Sequence, residues 1–457
     1  MSEKWKGKLN EIFSEVIRIE GEIKKGNARF LKDDELFFKL TSSHVNYDIY
    51  CGRKAKSISH ELANEILRRG KLQGKVSSQA IREEFEIQFV NIIFSKDVSD
   101  GFSIHETNKL LDRVVTTARK MIVKSIHYIP CRLIHFDNDA HIKMGPVSFK
   151  KIESLKNNIL SKVRRKELIT YLKKENRHYI SDVVKYYNGF QWYAEVSIDS
   201  CDIEMAKEQA STLVNYAINC MCLILGAQHS TGFKISDSEF NFERKAGLIV
   251  LPDSMEINPS LNIRIKENSV FTGDWPCELM ESERGEILEL CGLVLDGALD
   301  YYPSNTIGQR FLDSIQWFGE ATRESNCATR ILKYIISLER LVITKKVDCV
   351  SEVLSSRVSI LCSNNRDEWP KWKCKIKKVY DVRSRLVHGT LSPKDKDVER
   401  SLNVCIEITE MALTNLLYLW GKEGLAKKIV TNEQLDYWFE TFSEWVNNLS
   451  KNHSGNK

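Results

Sequence analysis

From residue 281 to residue 449 apolar side chains recur at spacings of three and four, the period of a helix that buries one face. The stretches 283–301, 306–323, 328–344, 349–362, 371–388, 396–421 and 431–449 each carry it, and the links between them are short, as in a helical bundle. Only eight prolines occur in 457 residues, so few points force a helix to stop. A chain this long exceeds one ordinary core and predicts two or three domains.

Upstream the pattern is mixed. Residues 1–128 read as mostly helical. Trp5, Leu9, Ile12, Phe13, Val16 and Ile17 recur at helical spacing, and 59–69 and 105–124 show the same period. The first 27 residues are charged and amphipathic and hold no apolar signal core. At Tyr128-Ile129-Pro130 the character changes. Strands are expected at 131–136 and 141–149 around Asp137-Asn138-Asp139, followed by a charged helix over 150–175. A strand at 192–198 then feeds a helix at 202–225, and strand pieces follow at 247–251 and 261–265, set apart by Pro252 and Pro259. The expected fold is mainly α. It comprises a helical region 1–128, an α/β segment 129–280 of sensor or regulatory type, an all-α bundle 281–450 and a polar, disordered tail 451–457.

The net charge of +5 is mild, so a basic surface has to be local. Twelve cysteines lie scattered with no CxxC, and Cys220-Met221-Cys222 has no matching histidine pair. That argues against a disulfide framework or a zinc site, and for a reducing compartment. The most apolar run, 216–227, is too short to span a bilayer and contains Asn219, which suits a buried core helix. A cytoplasmic protein with no membrane partner is expected. Within 129–280 there is no P-loop, GxSxG, HExxH or paired-carboxylate motif.

The helix at 371–388 carries the chemistry. Trp372, Ile376, Val379 and Leu386 fall on one face, and Arg383 lies within that stripe. A guanidinium there needs an anionic partner or an opening into a cleft. Beside it runs a second row, Lys373, Lys377, Ser384 and His388, with Tyr380 at its edge. Residues 371–400 contain ten Lys or Arg against four acids. A solvated basic face and a groove for a phosphate backbone both fit that excess. Two neighbouring helices repeat the anomaly. Glu339 is flanked by Leu332, Ile335, Ile336 and Ile343, and Arg357 sits within the stripe of Val350, Val353, Leu354 and Leu361. Glu339 is therefore expected within hydrogen-bonding reach of Arg383 or Arg357, with Arg357 a structural charge in the core.

The run Val379-Tyr380-Asp381-Val382-Arg383-Ser384-Arg385-Leu386-Val387-His388-Gly389 resembles the R-x4-H-G signature of HEPN domains. Ser337-Leu338-Glu339-Arg340-Leu341 and Val353-Leu354-Ser355-Ser356-Arg357 resemble the flanking helices of the Apea-like branch, so the likeness covers roughly residues 305–420. The resemblance implies a metal-independent endoribonuclease that uses no cofactor. Arg383 would present donors to the phosphate, His388 would move protons, and Glu339 would orient Arg383. Lys373, Lys377, Tyr380, Ser384 and Arg385 would bind RNA. Ser384 stands where many active members carry Asn, Asp or His.

The same resemblance implies a homodimer through the HEPN domain, which brings two motifs together across a two-fold axis. It further implies a toxin of bacterial anti-phage defence, with abortive infection by RNA cleavage. The likeness does not reach the N-terminal half, which carries no catalytic motif and is expected to sense a phage-derived trigger or to hold the activity down. A non-catalytic HEPN module that binds RNA, a nucleotide or a partner protein is the second reading. The intact Arg383/His388 pair favours the first, because a scaffold does not need it.

Overall fold

The computed structural model describes residues 2–27, 31, 38–41, 49–94, 101–134, 140–157, 180–235, 242–251, 256–265, 275–298, 307–421 and 431–442. The chain is mainly α, as the periodicity predicts, and it divides into two compact units. One unit joins Met1–Ile126 to Ser197–Gln209, and the other joins His127–Val196 to Ala210–Lys457. This differs from the expected cuts at 128 and 280, because the segment after residue 127 packs with the C-terminal helices instead of standing alone.

The first unit holds helices α1 (Ser2–Lys24), α2 (Arg53–Gly70), α3 (Ser78–Phe94) and α4 (Ile104–Met121), with a hairpin of β1 (Phe38–Leu40) and β2 (Ile49–Cys51). Leu9, Ile12, Val16, Leu62, Ile66, Phe85, Phe89, Leu110 and Val114 share its core. Ile17, expected in that stripe, is exposed, since one residue past Val16 turns it about 100° off the buried face. Ser103 and Glu106 close a reciprocal capping box at the start of α4. Glu86 is buried on α3, and a charge there persists because it is fully engaged. Lys56 pairs with it at 2.8 Å, while the Ser59 hydroxyl and the Thr41 backbone N–H and hydroxyl each donate to it at 3.1 Å.

The helix expected over 105–124 stops at Met121, and β3 (Val123–Arg132) begins two residues later. β3 lies in a five-stranded sheet with β4 (His141–Met144), β5 (Val147–Lys151), β6 (Trp192–Cys201) and β7 (Lys234–Ile235), in the order β4-β5-β6-β3-β7, most of it in the second unit. Phe149 stands opposite both Ile142 and Ala194. The single strand expected at 141–149 is a hairpin, because Gly145 turns the chain with φ +55°. A Cβ there would meet the Gly292 carbonyl oxygen at 2.3 Å, so that position is confined to glycine twice over.

After β5 comes α5 (Ile152–Leu155). The rest of the helix expected over 150–175, and the turn at 137–139, lie outside the described residues. Next come α6 (Ile180–Tyr187) and α7 (Ile203–Leu225). Asp202 caps α7, accepting from the Met205 N–H at 2.7 Å. The strand pieces near 247 and 261 are parts of a longer antiparallel pair, β8 (Phe242–Leu251) and β9 (Glu256–Ile265). Pro259 is tolerated inside β9 because a two-stranded sheet leaves each strand an unpaired edge.

The bundle follows: α8 (Trp275–Glu281), α9 (Glu283–Gly297), α10 (Ile307–Arg323), α11 (Cys327–Val342), α12 (Val350–Cys362), α13 (Trp369–Val387) and α14 (Lys396–Gly421), with residues 432–442 also helical. α10 packs on α11, α12 on α13, and α14 on α11. The apolar run after residue 216 is a core helix: Ala217, Ile218, Cys220, Met221 and Cys222 are buried, and Asn219 accepts from Arg323 Nη1 at 2.8 Å. Gly319 lets these helices meet, since a Cβ there would lie 1.9 Å from Asn219 Oδ1. Among the described residues one helix, α14, is long and apolar enough to cross a membrane, and half of that window is buried inside the protein.

Candidate active site

Local sequence explains why α13 starts and stops where it does. Pro370 sits in its first turn, where a missing N–H leaves no helical bond unmade. Trp372, Ile376, Val379 and Val382 bury its stripe. At the other end Gly389 has φ +72°, its N–H donates to the Leu386 carbonyl at 3.3 Å, and the Thr390 N–H donates to the Arg385 carbonyl at 2.9 Å. This is a Schellman cap, and it places His388 as the last, half-helical residue, with its N–H on the Ser384 carbonyl at 3.0 Å. Leu386, expected in the buried stripe, is half-buried, Val387 is 52% exposed, and the His388 side chain is exposed.

Arg383 and Glu339 face each other, but as an ion pair just beyond the hydrogen-bonding reach expected for them. Arg383 Nη2 lies 3.6 Å from Glu339 Oε1, an ion pair with both side chains about a quarter exposed (24% and 23%). They therefore sit at the rim of the core and not inside it. The guanidinium also lies over the Tyr380 ring, 5.5 Å from its centroid. Its Nε is buried and makes no hydrogen bond. Burial pushes the Glu339 carboxyl above its ordinary value, and Arg383 pulls it back only in part. Burial and the Glu339 charge together raise the Tyr380 phenol. The site thus has one fixed guanidinium with donor capacity to spare, beside a carboxyl that resists ionisation.

Arg357 is elsewhere. It is buried and paired with Asp436 at 2.5 Å, donates to the Val342 carbonyl at 2.9 Å and lies over the Phe439 ring. Arg310 joins it, 2% exposed, donating to the Leu341 and Ile343 carbonyls and to Asn432 Oδ1. Two guanidiniums therefore satisfy the orphan carbonyls at the C-terminus of α11, where the helix dipole favours positive charge. Of the two arginines offered to Glu339, Arg383 is its partner and Arg357 belongs to a separate cluster.

The basic row also needs correction. Lys373 is buried and paired with Glu352, so it does not stand on an open face; Lys377 is exposed but binds the same carboxylate. Burial raises the Glu352 carboxyl, yet its bonds to the two lysines outweigh that and hold it below the usual range. Arg385 is half-buried and pairs with Asp381 at 3.7 Å, and Ser384 is half-buried. Between α13 and the start of α14 a groove of about 680 Å³ is lined by Lys373, Lys377, Lys378, Arg385 and Arg400, with Asp381 and Asp397 as its acids.

Arg310, Glu352 and Asp436 are missing from the residues expected on sequence. Arg310 could have been found, since it falls in the apolar stripe of Ile307, Phe311 and Phe318 just as Arg357 falls in its own. Glu352 and Asp436 lie on other elements and leave no periodic mark. Among the described residues no cluster of three or more His, Cys, Asp or Glu side chains is arranged to hold a metal ion. No family model, curated protein or solved structure matches the chain.

Proposed function

We propose that this chain is a metal-independent endoribonuclease of the HEPN type, cleaving RNA through the attack of its own 2′-hydroxyl. The carrying observation is the end of α13, where an exposed imidazole fixed at a helix cap follows an arginine held by Glu339 and Tyr380 with a spare buried donor. In the reaction a base takes the 2′-hydroxyl proton and that oxygen attacks phosphorus. The 5′-oxygen then leaves with a proton, giving a 2′,3′-cyclic phosphate and a 5′-hydroxyl. An imidazole has one nitrogen that can accept a proton and one that can give it, and serves either transfer. Arg383 stabilises the phosphorane with its fork of donors, and Glu339 positions Arg383. Five residues along a helix separate Arg383 and His388 by about 140°, so one helix alone does not aim both at one phosphate. A second copy does, which supports a homodimer.

On this reading the N-terminal half senses a phage-derived trigger or restrains a cytoplasmic toxin of anti-phage defence. A non-catalytic RNA-, nucleotide- or protein-binding module is the second reading, favoured by the basic groove, which does not include His388. The deciding experiment incubates the purified full chain with total RNA and EDTA. Cyclic-phosphate fragments are expected from the wild type and intact RNA from His388→Ala. RNA left whole by both the wild type and a 127–457 fragment that lacks residues 1–126, or strict dependence on Mg²⁺ or Mn²⁺, rejects the nuclease.

A further inference from the structure

The groove between α13 and α14 has a composition that the cleavage site does not account for. Lys377, Lys378, Arg385 and Arg400 line it against two acids, while Arg383, Glu339 and His388 are absent from its lining. Along α13 its cations run from Lys373 to Arg385, about 18 Å of helix axis at 1.5 Å per residue. That makes the groove a track longer than a single anion needs. Among the described residues no aromatic side chain lines it, so they offer no platform on which a base could stack. A volume of about 680 Å³ gives room for the backbone of a single strand.

The charges along the track are not equally committed. Arg385 and Arg400 pair with Asp381 and Asp397 at 3.7 and 3.6 Å, both on the surface, where such pairs contribute little and exchange easily. Lys378 is exposed and has no ion-pair partner among the described residues. At one end Lys373 and Lys377 converge on a single carboxylate, Glu352, which occupies the position between two ammonium groups that a phosphate would take. Half of that carboxylate's side chain remains open to solvent, at 46% exposure, so an incoming anion can displace it.

We infer that the α13–α14 groove is a binding track for the phosphate backbone of single-stranded RNA, and that Glu352 is its built-in competitor. The inference rests on the reading of RNA as the substrate class. It adds where the strand lies outside the cleavage site and what it displaces. Recognition through phosphates alone makes affinity indifferent to base sequence and strongly dependent on salt. Releasing Glu352 from the two lysines on binding lowers the net affinity, so removing its charge strengthens capture.

The test uses the full chain carrying His388→Ala, so that the probe survives, and follows binding of labelled oligouridine across a salt series. Lys377→Ala and Arg400→Ala should each weaken binding and make the slope of log K against log salt shallower by about 0.7. Glu352→Gln should tighten binding by about tenfold, corresponding to the loss of one charge-assisted competitor. Lys120→Ala, an exposed lysine of the other unit, should change neither. Unchanged affinity and slope in the two groove variants would overturn the track, as would polyglutamate competing better than RNA of equal length, which would assign the groove to an acidic protein. The same variants tested in the His388 background separate the two failures. Normal cleavage with unaltered binding removes the track and keeps the nuclease, whereas groove-dependent binding with no cleavage by the wild type keeps the track and removes the nuclease.

Discussion

The Arg383 guanidinium stands 3.6 Å from the Glu339 carboxylate, too long for a good hydrogen bond and close enough for an ion pair. A loose pair suits an arginine whose task is to leave donors for a third party. Arg383→Ala should lower cleavage by about a hundredfold or more, and Arg383→Lys should fail similarly because an ammonium has no fork.

Glu339→Gln separates positioning from folding. The carboxyl is raised above its ordinary value by burial, so the folded state favours its neutral form. Folding stability tied to this group therefore increases as pH falls through its raised value, and the charged form counts against the fold above it. The amide should leave the melting temperature at neutral pH equal or higher. It should lower cleavage by about tenfold, about 1.4 kcal/mol in the barrier, and remove the part of the acid limb of the rate profile that belongs to Glu339. A variant that melts lower and cleaves normally would make Glu339 a structural residue only.

Gly389 is a sharper probe of His388. Its φ of +72° belongs to the left-handed region, and nothing lies within 4 Å of where a Cβ would stand. The penalty for Gly389→Ala is thus conformational and not steric, about 1 kcal/mol. Relaxing that strain rotates the cap and carries the imidazole with it. Cleavage should drop by more than the small loss in stability explains, as read by a chemical melt beside a rate measurement. Unchanged cleavage in a folded Gly389→Ala protein would show that the cap does not set the position of His388.

How much was legible follows from what period can report. α10 to α14 were found from apolar spacing, and Glu339 and Arg383 from charges that break it. Only the end of β3 is legible, inside the strand expected at 131–136, because Val123 and Ile126 at its start look like a continuation of the α4 stripe and yet are exposed on a strand. The burial of Lys373 is not legible, because a lysine beside a buried stripe reads the same whether it faces water or a carboxylate on another helix. The partners of Arg357 and Lys373, namely Asp436 and Glu352, are set by tertiary packing, which a single helix cannot encode.

Asp436 makes the second cluster testable by acid. Burial raises its carboxyl, but hydrogen bonds from Lys345, Thr344 and Arg357 outweigh that and hold it down at about 2, against an ordinary 3.8. A depressed carboxylate contributes stability that is present above its unfolded value and lost as pH falls through the folded one. The wild type should therefore lose stability between about pH 4 and pH 2 through this group. Asp436→Ala leaves Arg357 buried and uncompensated and should cost about 3–5 kcal/mol at neutral pH by urea melt. It should also remove this group's share of the acid-induced loss, and an unaltered acid profile would assign that loss to other carboxylates.

The restraint attributed to the N-terminal half has to be tested with a boundary the fold allows. A fragment spanning 281–457 cuts through the second unit. It strips Asn219 from Arg323, and it removes the Ala227 N–H that donates to Glu410 at 2.8 Å. Burial already raises the Glu410 carboxyl, and losing that donor leaves it without its backbone partner. The part of α10 that α7 covers, where Gly319 meets Asn219, would be open to water, a loss of roughly 25 cal/mol for each Å² of apolar area. The fragment 281–457 should therefore melt lower than a fragment starting at residue 127, which keeps α7, the bundle and all of the sheet but the first four residues of β3, and carries residues 197–209 of the first unit with it. If the first unit restrains the nuclease, the 127–457 fragment should cleave faster per molecule than the full chain, and adding His388→Ala should abolish the difference. Equal rates for a folded 127–457 fragment and the full chain would mean that residues 1–126 hold nothing down. A slower fragment would assign them to substrate capture.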